Sequence, residues 1–219
     1  MKLFKLAVLA LAAVCTLSAQ EKLVPFKTDL PKPKRSGTPV AVRVPNLESA
    51  AEANRAPVMI PEGSVNLAAG KPVTSSDSFP VVGMLEQITD GEKDSDDGYF
   101  VELGDGKQWI QIDLEESANI AAIAVWHFHA QERAYLDVVV QISDDPDFIS
   151  GVTTVFNNDE DNSSGLGIGK DKVYVETNKG RVIPVKNVTG RYVRLYSRGN
   201  SANQANHYIE VEVWGKPAA

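Results

Sequence analysis

The sequence QITDGEKDSDDGYFVELGDGKQWIQIDL, residues 87–114, decides the fold of this chain. Its last part, Trp109–Leu114, alternates apolar and polar side chains, which is the pattern of a half-buried β-strand. The loop ahead of this strand is crowded with Asp, Glu and Gly and is too acidic to pack in a core. Because calcium prefers carboxylate and carbonyl oxygens, the loop predicts a calcium site held against a rigid strand. The alternative is a solvated surface loop, and this stretch alone does not decide between the two.

The first 19 residues are predicted to be a secretory signal peptide. Two lysines lie before the apolar run Leu6–Val14, and the segment ends in the small residue Ala19. Lipid attachment at Cys15, the only cysteine, is an alternative, although Val14 stands where such signals have a small residue. Cleavage after Ala19 would leave a mature chain without cysteine. This predicts a secreted, periplasmic or cell-surface protein that is stabilised by its core, with or without a metal, rather than by disulfides.

Charge and motif content exclude several classes of function. The 219-residue chain has a net charge of −7, which becomes −9 once Lys2 and Lys5 are removed. An acidic protein is a poor partner for nucleic acid or for an anionic membrane surface. No later stretch is long and apolar enough for a transmembrane helix. An enzyme is not expected, because the mature chain has neither a cysteine nucleophile nor a Gly-x-Ser-x-Gly elbow.

Residues 20–63 form a Pro-rich extension that is interpreted as a linker. A short helix is predicted at Leu47–Arg55, with Asn46 as its cap and Pro57 as its stop. If the segment instead packs along the following domain, its apolar residues would be the contacts: Val40, Val42, Val44, Val58 and Ile60.

From Ser64 onward, short β-branched and aromatic runs alternate with turn residues. The predicted strands are Val73–Ser76, Trp109–Leu114, Ile120–His129, Tyr135–Ser143, Thr153–Asn157, Val182–Lys186, Tyr192–Ser197 and Ile209–Gly215. The connection Ala130–Ala134 has the length of a hairpin loop. The pattern predicts an all-β fold, an antiparallel β-sandwich.

Five segments, in order, resemble the discoidin-like, coagulation factor 5/8 C-type domains, which have the galactose-binding jelly-roll fold. They are Asn66–Ser76, Ile88–Gly91 together with Trp109–Leu114, Val138–Asp145, Gly190–Leu195 and Tyr208–Gly215. The resemblance predicts one discoidin-like jelly roll over residues 64–216. It implies a non-catalytic module that binds glycans, lipid head groups or protein partners through loops at one end of the sandwich.

The resemblance also implies a structural calcium ion. Asp90 matches the metal-binding Asp of the family, and Glu210 matches the carboxylate at the start of the last strand. Gln87, Glu92 and Ile209 would supply backbone carbonyls. Further ligands could come from Asp94, Ser95, Asp96 and Asp97, and these residues could equally be solvated.

A sugar site is expected near the run Trp126–Arg133. In lectins that this family resembles, a polar residue that ends one strand and an arginine before the next hold the sugar, and His129 and Arg133 fall at those places. On a strand, His127 would share a face with His129, so the two could instead ligate zinc with His207. Further candidate sugar contacts are Tyr99, Phe100, Asn206 and His207. Asp159 and Asp161 could hold another cation.

The expected ligand is therefore a glycan or cell-surface polysaccharide, bound by a calcium-stabilised module. A protein partner in a cell-surface assembly is the alternative.

Overall fold

A computed structural model describes residues 21–38, 40–96 and 98–218. The predicted signal peptide, Cys15 and Asp97 lie outside the described residues. The described chain is almost entirely antiparallel β-structure, which confirms the predicted all-β sandwich. The strands are β1 (Leu23–Pro25), β2 (Met59–Pro61), β3 (Val65–Asn66), β4 (Val73–Ser75), β5 (Val101–Leu103), β6 (Lys107–Trp126), β7 (Val139–Ser143), β8 (Thr153–Asn157), β9 (Arg181–Arg198), β10 (Asn206–Tyr208) and β11 (Glu210–Pro217). A short helix α1 (Ala50–Ala53) and a 3-10 helix (Leu85–Thr89) complete the elements. None of the described helices is long and apolar enough to span a membrane.

Two long strands, β6 and β9, build both halves of the sandwich. They pair along most of their length, with a break in register between Asp113 and Ala118. Before the break β6 pairs with β4, and after it β6 pairs with β11. Side chains from both halves of β6, such as Ile112 and Ile123, are fully buried in the same hydrophobic cluster. The sheet, in the order β3-β11-β6-β9-β7-β8 with β4 beside β6, therefore folds back around one core.

The structure corrects two details of the predicted strands. The predicted pairs Trp109–Leu114 with Ile120–His129 and Val182–Lys186 with Tyr192–Ser197 are each one long strand, β6 and β9. The expected hairpin through Ala130–Ala134 does not form, because β9 lies between β6 and β7 in the sheet. The chain after Trp126 instead runs buried across one end of the sandwich.

The predicted helix exists but is shorter, and its cap is a different residue. Ser49 is the N-cap: its Oγ accepts from the Glu52 amide at 3.3 Å, and the Glu52 carboxylate accepts from the Ser49 amide at 2.8 Å. This reciprocal pair satisfies two amides at the helix start. Asn46 instead donates from Nδ2 to the carbonyl of Asp171 at 2.9 Å, which ties the segment to the domain.

The described part of the Pro-rich segment packs along the sandwich. Strand β1 pairs with β2, and Phe26 lies edge-on to Trp214 with ring centroids 5.5 Å apart. Of the apolar residues expected at this contact, Ile60 is 4% exposed, whereas Val40 is 71% exposed. The segment thus adds a layer of chain against β11 and the loops at its start.

Candidate functional site

The first candidate site lies where the acidic loop meets the start of β11. Glu210 is fully buried, and its Oε2 accepts a hydrogen bond from the Gly91 amide at 3.1 Å. Its Oε1 has no hydrogen-bond partner among the described residues. Burial, with the nearby charges of Glu212 and Asp90, raises the pKa of Glu210 to about 9. A buried carboxylate in this state needs either a proton or a cation.

Asp90 follows the 3-10 helix and faces solvent, and its Oδ1 accepts from the Glu92 amide at 2.8 Å. The Gln87 side chain accepts from the Met84 amide at 2.6 Å. The side chains of Gln87 and Glu92 are therefore used inside the loop. Ile209 immediately precedes Glu210 at the edge of the same loop.

Sequence reasoning missed two further members of this charge cluster, Lys93 and Glu212. Both are nearly buried, and the Lys93 ammonium lies 2.6 Å from the Glu212 carboxylate and 5.1 Å from the centroid of the Trp126 ring. It also donates to Thr28 Oγ1 at 3.0 Å. Glu212 could have been found, because residues two apart on a strand share a face and Glu210 was already a candidate.

The residues present fit a calcium ion. Glu210 and Asp90 supply the available carboxylates, because Glu212 is already paired with the Lys93 ammonium and the Trp214 indole. The unpartnered Oε1 of Glu210 is the kind of hard oxygen ligand that calcium prefers. A divalent cation there would hold the Glu210 carboxylate in its charged form.

The rest of the acidic loop is engaged elsewhere, which narrows the set of further ligands. Ser95 is buried, and its Oγ accepts from the backbone amides of His129 at 3.1 Å and Ala130 at 2.9 Å. Asp94 and Asp96 form ion pairs with Lys34 of the Pro-rich segment. These three residues attach the loop to its neighbours rather than to the Glu210 cluster.

The two histidines predicted to share a strand face do not form a pair in the structure. Strand β6 ends at Trp126, so the alternation of side chains does not continue through them. His127 is fully buried; its Nδ1 lies 2.6 Å from Glu176, and its ring stacks on Tyr135 with centroids 4.3 Å apart. His129 is also buried, with Nε2 3.0 Å from the Lys93 carbonyl. Separate partners argue against the zinc pair, and burial of both rings argues against a sugar contact at the loop end beside Arg133.

Asn206 and His207 are also structural rather than exposed. Asn206 is fully buried, accepts from Ser197 Oγ and donates to the carbonyls of Gly104 and Gly106 at 2.8 and 2.9 Å. Its side-chain amide is thus already satisfied within the protein, so it cannot serve as a sugar contact without breaking these bonds.

His207 links the core to the loop end of the sandwich. Burial, and the charges of Arg133 and His127, lower the pKa of His207 to about 4, so its ring is neutral near pH 7. Its Nε2 lies 3.2 Å from Glu102 and its Nδ1 2.8 Å from the hydroxyl of Tyr135. In the tautomer with the proton on Nε2, which faces the Glu102 carboxylate, the Tyr135 hydroxyl donates to Nδ1. His207 positions Glu102 rather than offering a free ring nitrogen.

Arg133 and Tyr99 remain as the accessible members of the expected sugar site. The Arg133 guanidinium carbon lies 4.9 Å from the centroid of the Phe128 ring, and its Nη2 donates to Gln131 at 2.7 Å. Its Nε is buried and has no partner among the described residues, so Nη1 and Nη2 are the nitrogens left for a ligand. Phe100 packs edge-on to Phe128 at 5.2 Å, and the adjoining Tyr99 is 52% exposed. The Arg133 guanidinium therefore lies over the Phe128 ring, with Phe100 beside it, at the loop end of the sandwich. This group of residues is called the Arg133 platform below.

The second acidic group, anticipated at Asp159 and Asp161, also includes Asp137. Carboxylate oxygens of the three residues lie within 4.8 Å of one another. Asp159 and Asp161 both accept from the Ser163 amide, at 3.1 and 2.9 Å, and Asp137 accepts from the Ser163 hydroxyl at 2.6 Å. These donors explain how the three carboxylates lie together in the fold.

Comparison with known proteins agrees with this architecture. The sequence model of the NedA-like, galactose-binding domain of the F5/8 type C group matches residues 87–195. No curated protein gives a significant match to the sequence.

Two solved structures illustrate the likeness in fold. A family 89 glycoside hydrolase from Clostridium perfringens, in complex with its substrate GlcNAc-α-1,4-galactose, aligns with a TM-score of 0.53 and 18% identity over 70% of this chain. This chain spans only 15% of the length of that hydrolase. A selenomethionine-labelled mutant of chitosan-binding module 1, from a chitosanase/glucanase of Paenibacillus sp. IK-5, aligns with a TM-score of 0.51 and 21% identity. That alignment covers 69% of this chain and 99% of the module.

The family match covers the acidic loop, β5 to β8 and most of β9, and the two structures extend the shared fold to about 70% of the chain. Residues 87–195 therefore belong to an F5/8 type C, galactose-binding-like domain, and the described chain has the discoidin-like fold.

Proposed function

We propose that the protein is an exported, non-catalytic carbohydrate-binding protein. The observation that carries the proposal is Arg133, whose guanidinium lies over the Phe128 ring; Phe100 packs against that ring, and the next residue in sequence, Tyr99, is exposed. Sugars present apolar C–H faces and rings of hydroxyl groups. An aromatic ring packs against the apolar C–H face, and the planar guanidinium of an arginine donates hydrogen bonds to the hydroxyl groups.

The relatives support a saccharide as the ligand class. The matching family model is that of a galactose-binding domain, and the Paenibacillus structure is that of a chitosan-binding module. Such a module places its ligand-binding residues on loops held by a rigid sandwich. The loop end that carries Arg133, Tyr99 and Glu102 has this arrangement.

We also propose that calcium stabilises the fold. Asp90 and Glu210 would bind the ion through side chains, and Gln87, Glu92 and Ile209 through backbone carbonyls. The ion would supply charge to offset the buried carboxylates, and it would tie the acidic loop to the last strand. The unpartnered oxygen and raised pKa of Glu210 support this role.

The test of carbohydrate binding is a calorimetric titration of the protein against a panel of neutral and charged oligosaccharides. We expect at least one sugar to bind, and Arg133→Ala to weaken it about tenfold or more, since truncation removes charge-assisted hydrogen bonds. Arg133→Lys keeps the charge but loses the fork, so it should recover only part of the affinity.

Arg43→Ala is the matched control, because Arg43 is exposed on the Pro-rich segment. Its affinity should equal that of the unchanged protein. A panel in which every sugar stays unbound would reject the carbohydrate proposal.

A protein-binding module is the second candidate. The observation in its favour is a loop with exposed apolar side chains: Phe79 is 87% exposed, Val81 64% and Met84 71%. Clustered exposed apolar residues often mark interaction surfaces. The same titration separates the two functions, because a module that binds only protein leaves all sugars free.

A further inference from the structure

A second cleft lies between the Pro-rich segment and the loop before β9. Its volume is about 330 Å³, within the roughly 300–1,000 Å³ typical of small-molecule sites. One wall is formed by residues 33–35 and by the helix region 48–55, and the other by residues 174–181, with His129 between them. The cleft is separate from the Arg133 platform, because Arg133 and Phe128 do not line it.

Backbone hydrogen bonds hold both walls in place. The Ser36 amide donates to the Ala130 carbonyl at 2.6 Å, and the Glu48 amide donates to the Val173 carbonyl at 2.8 Å. The Asn178 side chain donates to the Pro31 carbonyl at 2.8 Å. A site built between anchored backbones is pre-organised, so less ordering opposes ligand binding.

The charge of the cleft is opposite to that of the whole protein. Among the described residues, five cationic side chains and one acidic side chain line it, in a chain of net charge −7. The cations are Lys34, Arg35, Arg55, Lys179 and Arg181, and the acid is Glu48. Lys34 and Arg35 have carboxylate partners in neighbouring loops. Of the other three, Arg55 and Arg181 form ion pairs with Glu48.

Arg55 and Arg181 share a single carboxylate oxygen. Glu48 Oε2 lies 3.2 Å from Arg181 Nη1 and forms an ion pair with Arg55. Burial first, and then the charge of the neighbouring Arg181, lowers the pKa of Arg55. The Arg181 guanidinium is held 4.7 Å from the centroid of the Tyr174 ring, which fixes its orientation.

His129 adds a different kind of group to the cleft. Its Nε2 lies 3.0 Å from the Lys93 carbonyl and therefore carries a proton, which leaves Nδ1 as an acceptor in the neutral ring. Nδ1 is buried and has no partner among the described residues. A buried acceptor beside a cluster of cations suits a ligand that has both an anionic group and hydroxyls.

We propose that this cleft binds the carboxylate or sulfate group of an acidic saccharide. The choice of a saccharide rests on the proposed function, whereas the preference for an anion rests on the charges of the cleft. Arg55, Arg181 and Lys179 bind the anion, and His129 accepts from a neighbouring hydroxyl.

The test uses tetragalacturonate, its fully methyl-esterified form and a sulfated κ-carrageenan tetrasaccharide, each titrated into the full-length protein. We expect the carboxylate or the sulfated sugar to bind about tenfold or more tightly than the ester, because charge-assisted hydrogen bonds are lost with the charge. The variant Lys179→Gln, alone and with Arg55→Gln, should reduce binding of the anionic sugar and leave ester binding unchanged. Thermal melts confirm that the variants are folded.

Arg43→Gln is the matched control, since it removes one exposed cation of the same segment outside the cleft. The anion site is overturned if the protein binds the acidic sugar and its ester with equal affinity. It is also overturned if Arg43→Gln and Lys179→Gln lose the same amount of affinity, or if none of the three sugars binds. Neutral sugar binding that depends on Arg133 would then leave the proposed function standing. Acidic sugar binding that depends on Lys179 but not on Arg133 would support the cleft and count against the Arg133 platform.

Discussion

The backbone amide of Gly91 donates to the buried carboxylate of Glu210 at 3.1 Å, across 119 positions of sequence. This bond joins the acidic loop to the first residue of the last strand. It satisfies one carboxylate oxygen and leaves the other without a partner among the described residues. The stability of the loop should therefore depend on what neutralises Glu210.

Calcium is expected to raise the melting temperature, and EDTA to lower it. A ligand that binds only the native state adds RT ln(1 + [L]/Kd), so calcium at ~100 times its Kd should add roughly 2.7 kcal/mol. Asp90→Ala should lose this response, because it removes one of the two expected side-chain ligands. Differential scanning calorimetry with calcium and with EDTA measures the effect.

Asp105→Asn is the control for this prediction, since Asp105 is an exposed acid in a turn outside the site. It should respond to calcium as the unchanged protein does. A melt that is indifferent to EDTA would show that the acidic loop is simply solvated, and the calcium proposal would be abandoned.

The calcium-free protein should lose stability as the pH rises from about 4.5 to about 9. The pKa of Glu210 is raised from 4.5 to about 9 by burial first, so in this window the native state holds a proton that the unfolded state has released. The free energy of unfolding therefore falls with increasing pH. Glu210→Gln should flatten this slope in urea titrations with EDTA, whereas the exposed control Glu116→Gln should keep it. A wild-type profile parallel to that of Glu210→Gln would contradict the raised pKa.

The fold could be predicted from sequence because its signals are local. The alternation Trp109–Leu114 and the strand Thr153–Asn157 are each decided by neighbouring residues, and the structure has both as β-strand. The order of the strands is not local. The connection after Trp126 has hairpin length, but β9 comes between the two strands because its side chains complete the core on both halves of β6.

The candidate sites depend on contacts that leave no local pattern. Nothing near Lys93 in sequence indicates that its ammonium meets Glu212 and Thr28, since the first is 119 residues away and the second belongs to a Pro-rich stretch. Likewise, His127 has the sequence context of a strand residue, yet the strand ends one residue earlier and the ring packs on Tyr135. Burial of a polar side chain is decided by such distant partners.

Truncation of Phe26 should destabilise the whole domain, because its ring packs edge-on to Trp214. Phe26 is only partly buried, so we expect Phe26→Ala to lower the free energy of unfolding by about 1–2 kcal/mol, below the range for a fully buried Phe. Leu30→Ala is the control, since Leu30 is 50% exposed on the same segment. Urea unfolding followed by fluorescence measures both. If the two variants lose the same amount, the segment does not contribute to stability through Phe26.

Gly180 should not tolerate a side chain, because of its contact with Trp126. It has a φ of +63°, and an added Cβ would lie 2.6 Å from Cε2 of the Trp126 ring. That ring is fully buried and donates to the Asn178 carbonyl at 3.1 Å, so it cannot move without breaking this bond. Gly180→Ala should therefore cost backbone strain plus about 1–3 kcal/mol of overpacking.

Gly167→Ala separates the two costs of the Gly180 substitution. Gly167 has a φ of +96°, but an added Cβ there meets nothing within 4 Å, so its variant carries only the backbone strain. The difference in unfolding free energy between the two variants measures the contact with Trp126. Near-ultraviolet circular dichroism should change only in Gly180→Ala, because only that substitution displaces a buried indole. Equal losses of unfolding free energy in both variants would mean that the loop before β9 shifts to relieve the contact with Trp126. This loop also forms one wall of the cleft described above.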